Sequence, residues 1–144
     1  MAESDKSTPL GEEALMNELE NTEFVFGLYL RAIRKALRIS VRELAKEVGK
    51  TPTYISDIEN SNNKAPEKKL LDKIIVALHI DEHYSPKLKN MLFDLAAKER
   101  NEVSCDIKDY IMENKNVIAL IRKLKDAPNN NEMVDEILKN VFAS

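Results

Sequence analysis

The stretch SVRELAKEVGKTPTYISDIEN, residues 40–60, constrains the chain more than any other. Ser40 with Glu43 three residues on is a capping box, so a helix opens at Val41. Val41, Leu44, Ala45 and Val48 fall on one side of it, and Gly49 ends it, as a residue tolerant of positive φ should. Thr51 then caps a second helix whose first position is Pro52, where a missing N–H does no harm. Ile55 and Ile58 supply the buried side of that helix, and the turn-rich Asn60-Ser61-Asn62-Asn63 stops it. Two short helices around a tight turn are therefore required, whatever surrounds them.

The surroundings are helical too. Phe26, Leu30, Ile33 and Leu37 recur at steps of three and four, predicting an amphipathic helix over 22–37. Arg31, Arg34, Lys35 and Arg38 fill its later half, where cations suit the helix dipole. A fourth helix fits 67–78, with Leu70, Leu71, Ile74, Ala77 and Leu78 facing inward. Another starts at Pro86 and carries Leu88, Met91, Leu92, Leu95 and Ala96. Three shorter pieces follow at 106–112, 116–125 and 131–141, broken at Glu113-Asn114-Lys115 and Ala127-Pro128-Asn129-Asn130. With 43% hydrophobic and 33% charged residues but 6% aromatics and three glycines in 144, the composition favours a soluble all-α protein.

Charge is uneven although the net is only −3. Residues 1–21 hold six acids against Lys6, a net of −5, while residues 22–66 hold eight bases against five acids, a net of +3. Local potential, not the total, decides whether phosphate is attracted, and the basic segment contains the two short helices. Residues 1–21, polar and carrying Pro9 and Gly11, are expected to form a flexible acidic arm with one helical turn near 12–19. No apolar run approaches a membrane span, the N-terminus lacks a secretory apolar core, and Cys105 stands alone. A reducing, cytoplasmic setting fits.

At this point the residues carry a resemblance. The run LRAIRKALRISVRELAKEVGKTPTYISDIEN, followed by LLDKIIVALHI, resembles the helix-turn-helix domain of lambda repressor, Cro and the wider xenobiotic-response-element regulators. The matching marks are L-R-x-I-R, E-L-A in the second helix, Gly at the turn and I-x-x-I-E closing the third. The resemblance covers 26–80 and implies a five-helix lambda-repressor-like domain over 22–84; the helices read over 85–144 lie outside it as a C-terminal extension. In that fold the second helix crosses the phosphate backbone and the third enters the major groove.

The resemblance also assigns roles. Arg34 and Glu59 stand where the family often has a partly buried ion pair joining the first and third helices. Base readout falls to Pro52, Thr53, Ser56 and Asp57, with Tyr54 beside them. Phosphate contact falls to Arg42, Lys50 and the stretch Asn60, Asn62, Asn63 and Lys64. The helix starts at Ser40 and Thr51, natural anion sites, would assist. Pro52 and Asp57 depart from the phage repressors, which often place amides there. Asp57 either accepts from cytosine N4 or pairs within the chain with Lys50 or Lys64; in either case direct base contacts are fewer and DNA shape counts for more.

Other chemistry finds little support. His79 and His83 stand four apart but lack a third metal ligand, Cys105 reads as an inert thiol, and no nucleotide-cradling, nucleophile-elbow or zinc-protease pattern occurs. Neither a cofactor nor enzymatic activity is expected. The reading is a sequence-specific DNA-binding regulator, a repressor acting on double-stranded operator DNA as a homodimer. Two alternatives stay open: an antitoxin whose arm or tail wraps a toxin, the acidic residues 1–21 suiting a basic one, and an adaptor using the same fold to bind another regulator or protein. The apolar faces of 116–125 and 131–141 either cap the domain or form a dimer interface.

Overall fold

The computed structural model describes residues 8–143 and is all-α, with ten helices and no strand among them. They are α1 (Glu12–Glu20), α2 (Phe26–Ala36), α3 (Val41–Val48), α4 (Pro52–Glu59), α5 (Lys68–Leu78), α6 (Ile80–His83), α7 (Pro86–Glu99), α8 (Cys105–Glu113), α9 (Lys115–Asp126) and α10 (Asn130–Ala143). The five helices α2 to α6 fill the span 22–84, as a lambda-repressor-like domain requires. The chain forms two compact units, Met1–Cys105 and Asp106–Ser144.

In the first unit α2 is the hub. It packs on α1, α4 and α7, while α3 packs on α4 and α5. Phe26, Leu30 and Ile33 of α2 are essentially inaccessible, as are Leu44, Ile55, Leu71, Ile74 and Leu78 from the three helices that follow. Each such side chain contributes about 1.5–3 kcal/mol over leaving it in water. His79, at φ 57°, turns α5 sharply into α6.

One expectation is corrected here. The segment expected to be a flexible arm over 1–21 is a packed helix from Glu12 to Glu20, with Leu15 and Leu19 both fully buried. Two leucines four apart on one face outweigh the acids, of which Glu13, Glu18 and Glu20 stay exposed. Backbone bonds tie the segment down further: Leu10 N–H donates to the Ala36 carbonyl at 2.7 Å, and Tyr84 Oη donates to the Leu10 carbonyl at 2.7 Å. Residues 1–7 lie outside the described residues. The packing also runs past the expected boundary at 84/85. Leu88, Leu92, Leu95 and Ala96 of α7 belong to the first unit's core. At its end Arg100 donates to the Ala65 carbonyl at 2.8 Å and pairs with Glu67 at 3.0 Å, while Glu99 accepts the Ala65 amide. The unit therefore extends through Cys105.

The second unit contains the rest of α8 together with α9 and α10. α9 packs on α10, and none of its described residues 106–143 is buried.

Candidate nucleic-acid interface

The helix pair α3–α4 is set by local chemistry. Ser40 Oγ accepts the Glu43 amide at 3.0 Å, and the Glu43 carboxylate accepts the Ser40 amide at 3.1 Å. These bonds, the backbone one first, hold the Glu43 carboxyl below its ordinary value. Gly49 ends α3 in the left-handed region at φ 72°. Thr51 Oγ1 accepts the Tyr54 amide at 3.1 Å and Pro52 opens α4. The Lys50 ammonium lies 5.3 Å from the Tyr54 ring centroid, bracing the turn from outside.

Ile55, Ile58 and Glu59 bury one side of α4. The opposite side presents Pro52 and Thr53, which are exposed, and Ser56 and Asp57, which are partly so; Tyr54 is half-buried at its edge. Among the described residues no ion pair joins Asp57 to Lys50 or Lys64. Around this face Ser40, Arg42, Lys50, Thr51, Asn60, Asn62, Asn63 and Lys64 are all exposed. Several of them already hold internal bonds. Ser40 and Thr51 accept capping amides, Asn63 Oδ1 accepts the Lys64 amide at 3.0 Å, and Asn60 Oδ1 accepts from Arg31 Nη2. Glu99 borders the same surface depression as Ser61 to Lys64, adding a carboxylate beside that loop.

Beneath the face, Arg34 and Glu59 form a two-pronged pair: Nε to Oε2 at 2.7 Å and Nη2 to Oε1 at 2.9 Å, with Nη1 donating to the Ile39 carbonyl at 3.0 Å. Arg34 is 7% exposed and Glu59 2%. Parallel charge-assisted bonds of this kind fix orientation as well as adding energy.

Two contributors were not singled out from the sequence. Arg31, one turn before Arg34, reaches Glu59 Oε1 at 3.5 Å and bonds Asn60, so that the end of α4 is held by two arginines. The signal was present in its i,i+3 spacing from Arg34. Gly27 is the second. A Cβ there would stand 2.4 Å from the Glu59 carbonyl oxygen and 2.5 Å from that of Ile58, so only glycine lets α2 meet the end of α4 this closely. A glycine near a helix start carries no such message by itself.

No helix among the described residues is long and apolar enough to cross a membrane. Comparison with curated proteins and with solved structures gave no match. Comparison with family models matched residues 30–84 to the family described as helix-turn-helix. The match runs from within α2 through α6 and takes in the whole α3–Gly49–α4 turn. Residues 30–84 thus carry a helix-turn-helix domain similar to those of the lambda repressor/Cro, xenobiotic-response-element family.

Proposed function

We propose that this chain is a sequence-specific transcriptional repressor that binds operator DNA as a homodimer in the cytoplasm. The observation that carries the reading is the outward face of α4, which holds Pro52, Thr53, Ser56 and Asp57 on a helix locked by the Thr51 cap and the Arg34–Glu59 pair. Entering a major groove by its N-terminal end, that face offers two hydroxyls that donate or accept and a proline ring for a thymine methyl. The Asp57 carboxylate accepts from cytosine N4 and disfavours other bases.

Phosphates would be met from both sides of the turn. Ser40 and Thr51 use their oxygens for capping and keep their hydroxyl hydrogens for an anion. Arg42, Lys50, Lys64 and the amide groups of Asn60, Asn62 and Asn63 complete the set. Two features reduce direct readout: Pro52 lacks an N–H, and the Tyr54 amide is committed to Thr51. Recognition then leans on sequence-dependent DNA shape. An antitoxin role through the arm loses support because residues 12–20, part of that arm, are folded into the core. The Asp57 and Glu99 carboxylates favour one other reading, a protein-binding adaptor using the same face.

Selection of bound sequences from a random duplex pool, followed by affinity of the winner against salt, separates the two. A palindromic winner with half-sites about one DNA turn apart, and log affinity falling linearly with log salt, is the expected result. No enrichment, with weak binding that vanishes at physiological salt, would sink the repressor and leave the face to a protein.

A further inference from the structure

The second unit lacks what stabilises the first. α9 and α10, of 12 and 14 residues, pack on each other but bury nothing. Helices this short are marginal in water and depend on a covered apolar side. That side is open here. Leu120 and Ile121 of α9, and Val134, Ile137, Leu138 and Val141 of α10, are all at least 38% exposed. The four on α10 follow the steps of three and four that make a single stripe. Apolar side chains scattered over a surface mean nothing; a stripe on α10 beside an exposed apolar pair on the neighbouring α9 marks an interaction surface.

Charge identifies what covers it. α9 carries Lys115, Arg122, Lys123 and Lys125 against Asp126, a net of +3, and α10 carries Glu132, Asp135 and Glu136 against Lys139, a net of −2. A partner that suits both must bring an acidic helix to α9 and a basic helix to α10, each with apolar side chains of its own. A uniformly acidic or basic partner is repelled by one of the two. The same hairpin from a second copy, turned about a two-fold axis, brings both, because such an interface sets residue i against j and j against i.

We propose that the α9–α10 hairpin is a self-association element whose occupant is the hairpin of a second copy. Each basic α9 then lies against the partner's acidic α10 in a four-helix arrangement. This rests on the homodimer proposed above and names its surface, and it is tested without DNA, so failure of self-association and failure of operator binding are separate results.

Sedimentation equilibrium of the full chain over a wide concentration range gives the answer. Wild type is expected at twice the 16.4 kDa of one chain. Leu138→Glu should raise the dissociation constant at least tenfold, about 1.4 kcal/mol, while Leu138→Met, of similar volume, stays dimeric. Val76→Glu, on a residue of α5 that is 72% exposed, serves as the control and should also stay dimeric. Thermal unfolding of Leu138→Glu should keep the transition of the first unit, which shows that the variant folds. A monomeric wild type, or a Leu138→Glu chain that remains a dimer, overturns the proposal; so does a Val76→Glu chain that splits, since that places the interface on the first unit.

Discussion

Glu59 is a buried carboxylate held by Arg34 through both oxygens, with Arg31 3.5 Å from Oε1. Taking such a group out of water is costly, and only complete pairing offsets the cost. Arg34 is equally dependent, since without Glu59 it keeps the Ile39 carbonyl and little else. The pair also works together with Gly27, whose missing side chain admits the Glu59 carbonyl against α2. Glu59→Ala therefore leaves a buried guanidinium uncompensated, a loss of about 3–5 kcal/mol. For a first unit of this size the melting temperature should fall by at least 10 °C, taking roughly 4–8 °C per kcal/mol. Thermal unfolding followed by circular dichroism reads this directly. A variant melting within a degree or two of wild type would mean that the pair does not hold α4 in place.

At the scale of elements, the helix ends show how local and distant chemistry divide the work. α3 is capped within four residues by Ser40 and Glu43, and this was legible from the S-x-x-E spacing. α7 is capped from far away: the Glu12 carboxylate, 73 positions earlier, accepts the Ser85 amide at 2.6 Å and the Ser85 hydroxyl at 2.7 Å. The amide bond first, then the hydroxyl, with Lys87 assisting against some desolvation, holds the Glu12 carboxyl below its ordinary 4.5. A carboxyl lowered by folding contributes stability that is whole above its unfolded pKa and is lost as pH falls through the folded value. Glu12→Gln should thus be less stable than wild type at neutral pH, and the gap should close on acidification below pH 4.5. Melting temperature against pH for the two proteins tests it; curves that stay parallel would exclude the clasp. The same contrast explains what the sequence made legible. Helices α2 to α5 and α7 followed from apolar periodicity, caps and the Gly49 turn, all signals within a few residues. The fold of α1 did not, because six acids dominate the composition of residues 1–21 while the decisive facts, Leu15 and Leu19 under α2 and Leu10 bonded to Ala36 and Tyr84, depend on residues far along the chain. For the site, residue types and spacing placed α4's outward face, but the commitments of Asn60 to Arg31 and Asn63 to Lys64 emerge only in three dimensions.

For the whole molecule, the difference between the units is one of burial, and burial governs how readily a segment opens. In the first unit Leu30, Ile33, Leu44, Ile55, Ile74 and Leu92 are inaccessible, so the amides of α2 to α5 and α7 should exchange only through opening of the whole core. In the second unit no described residue is buried, and its amides can exchange through local fraying. Hydrogen exchange on the full chain should therefore give slow exchange across α2 to α7 and fast exchange over residues 106–143 in dilute solution. Concentration then separates two causes of any protection in α9 and α10. Stability gained by association follows mass action and grows with protein concentration, whereas stability built into one chain does not. Protection in α9 and α10 that rises with concentration, while that in α2 to α7 stays constant, ties the second unit's structure to its partner. Slow exchange in α9 and α10 that is independent of concentration would show a hairpin stable within one chain, and its exposed apolar side chains would then play no part in holding it together.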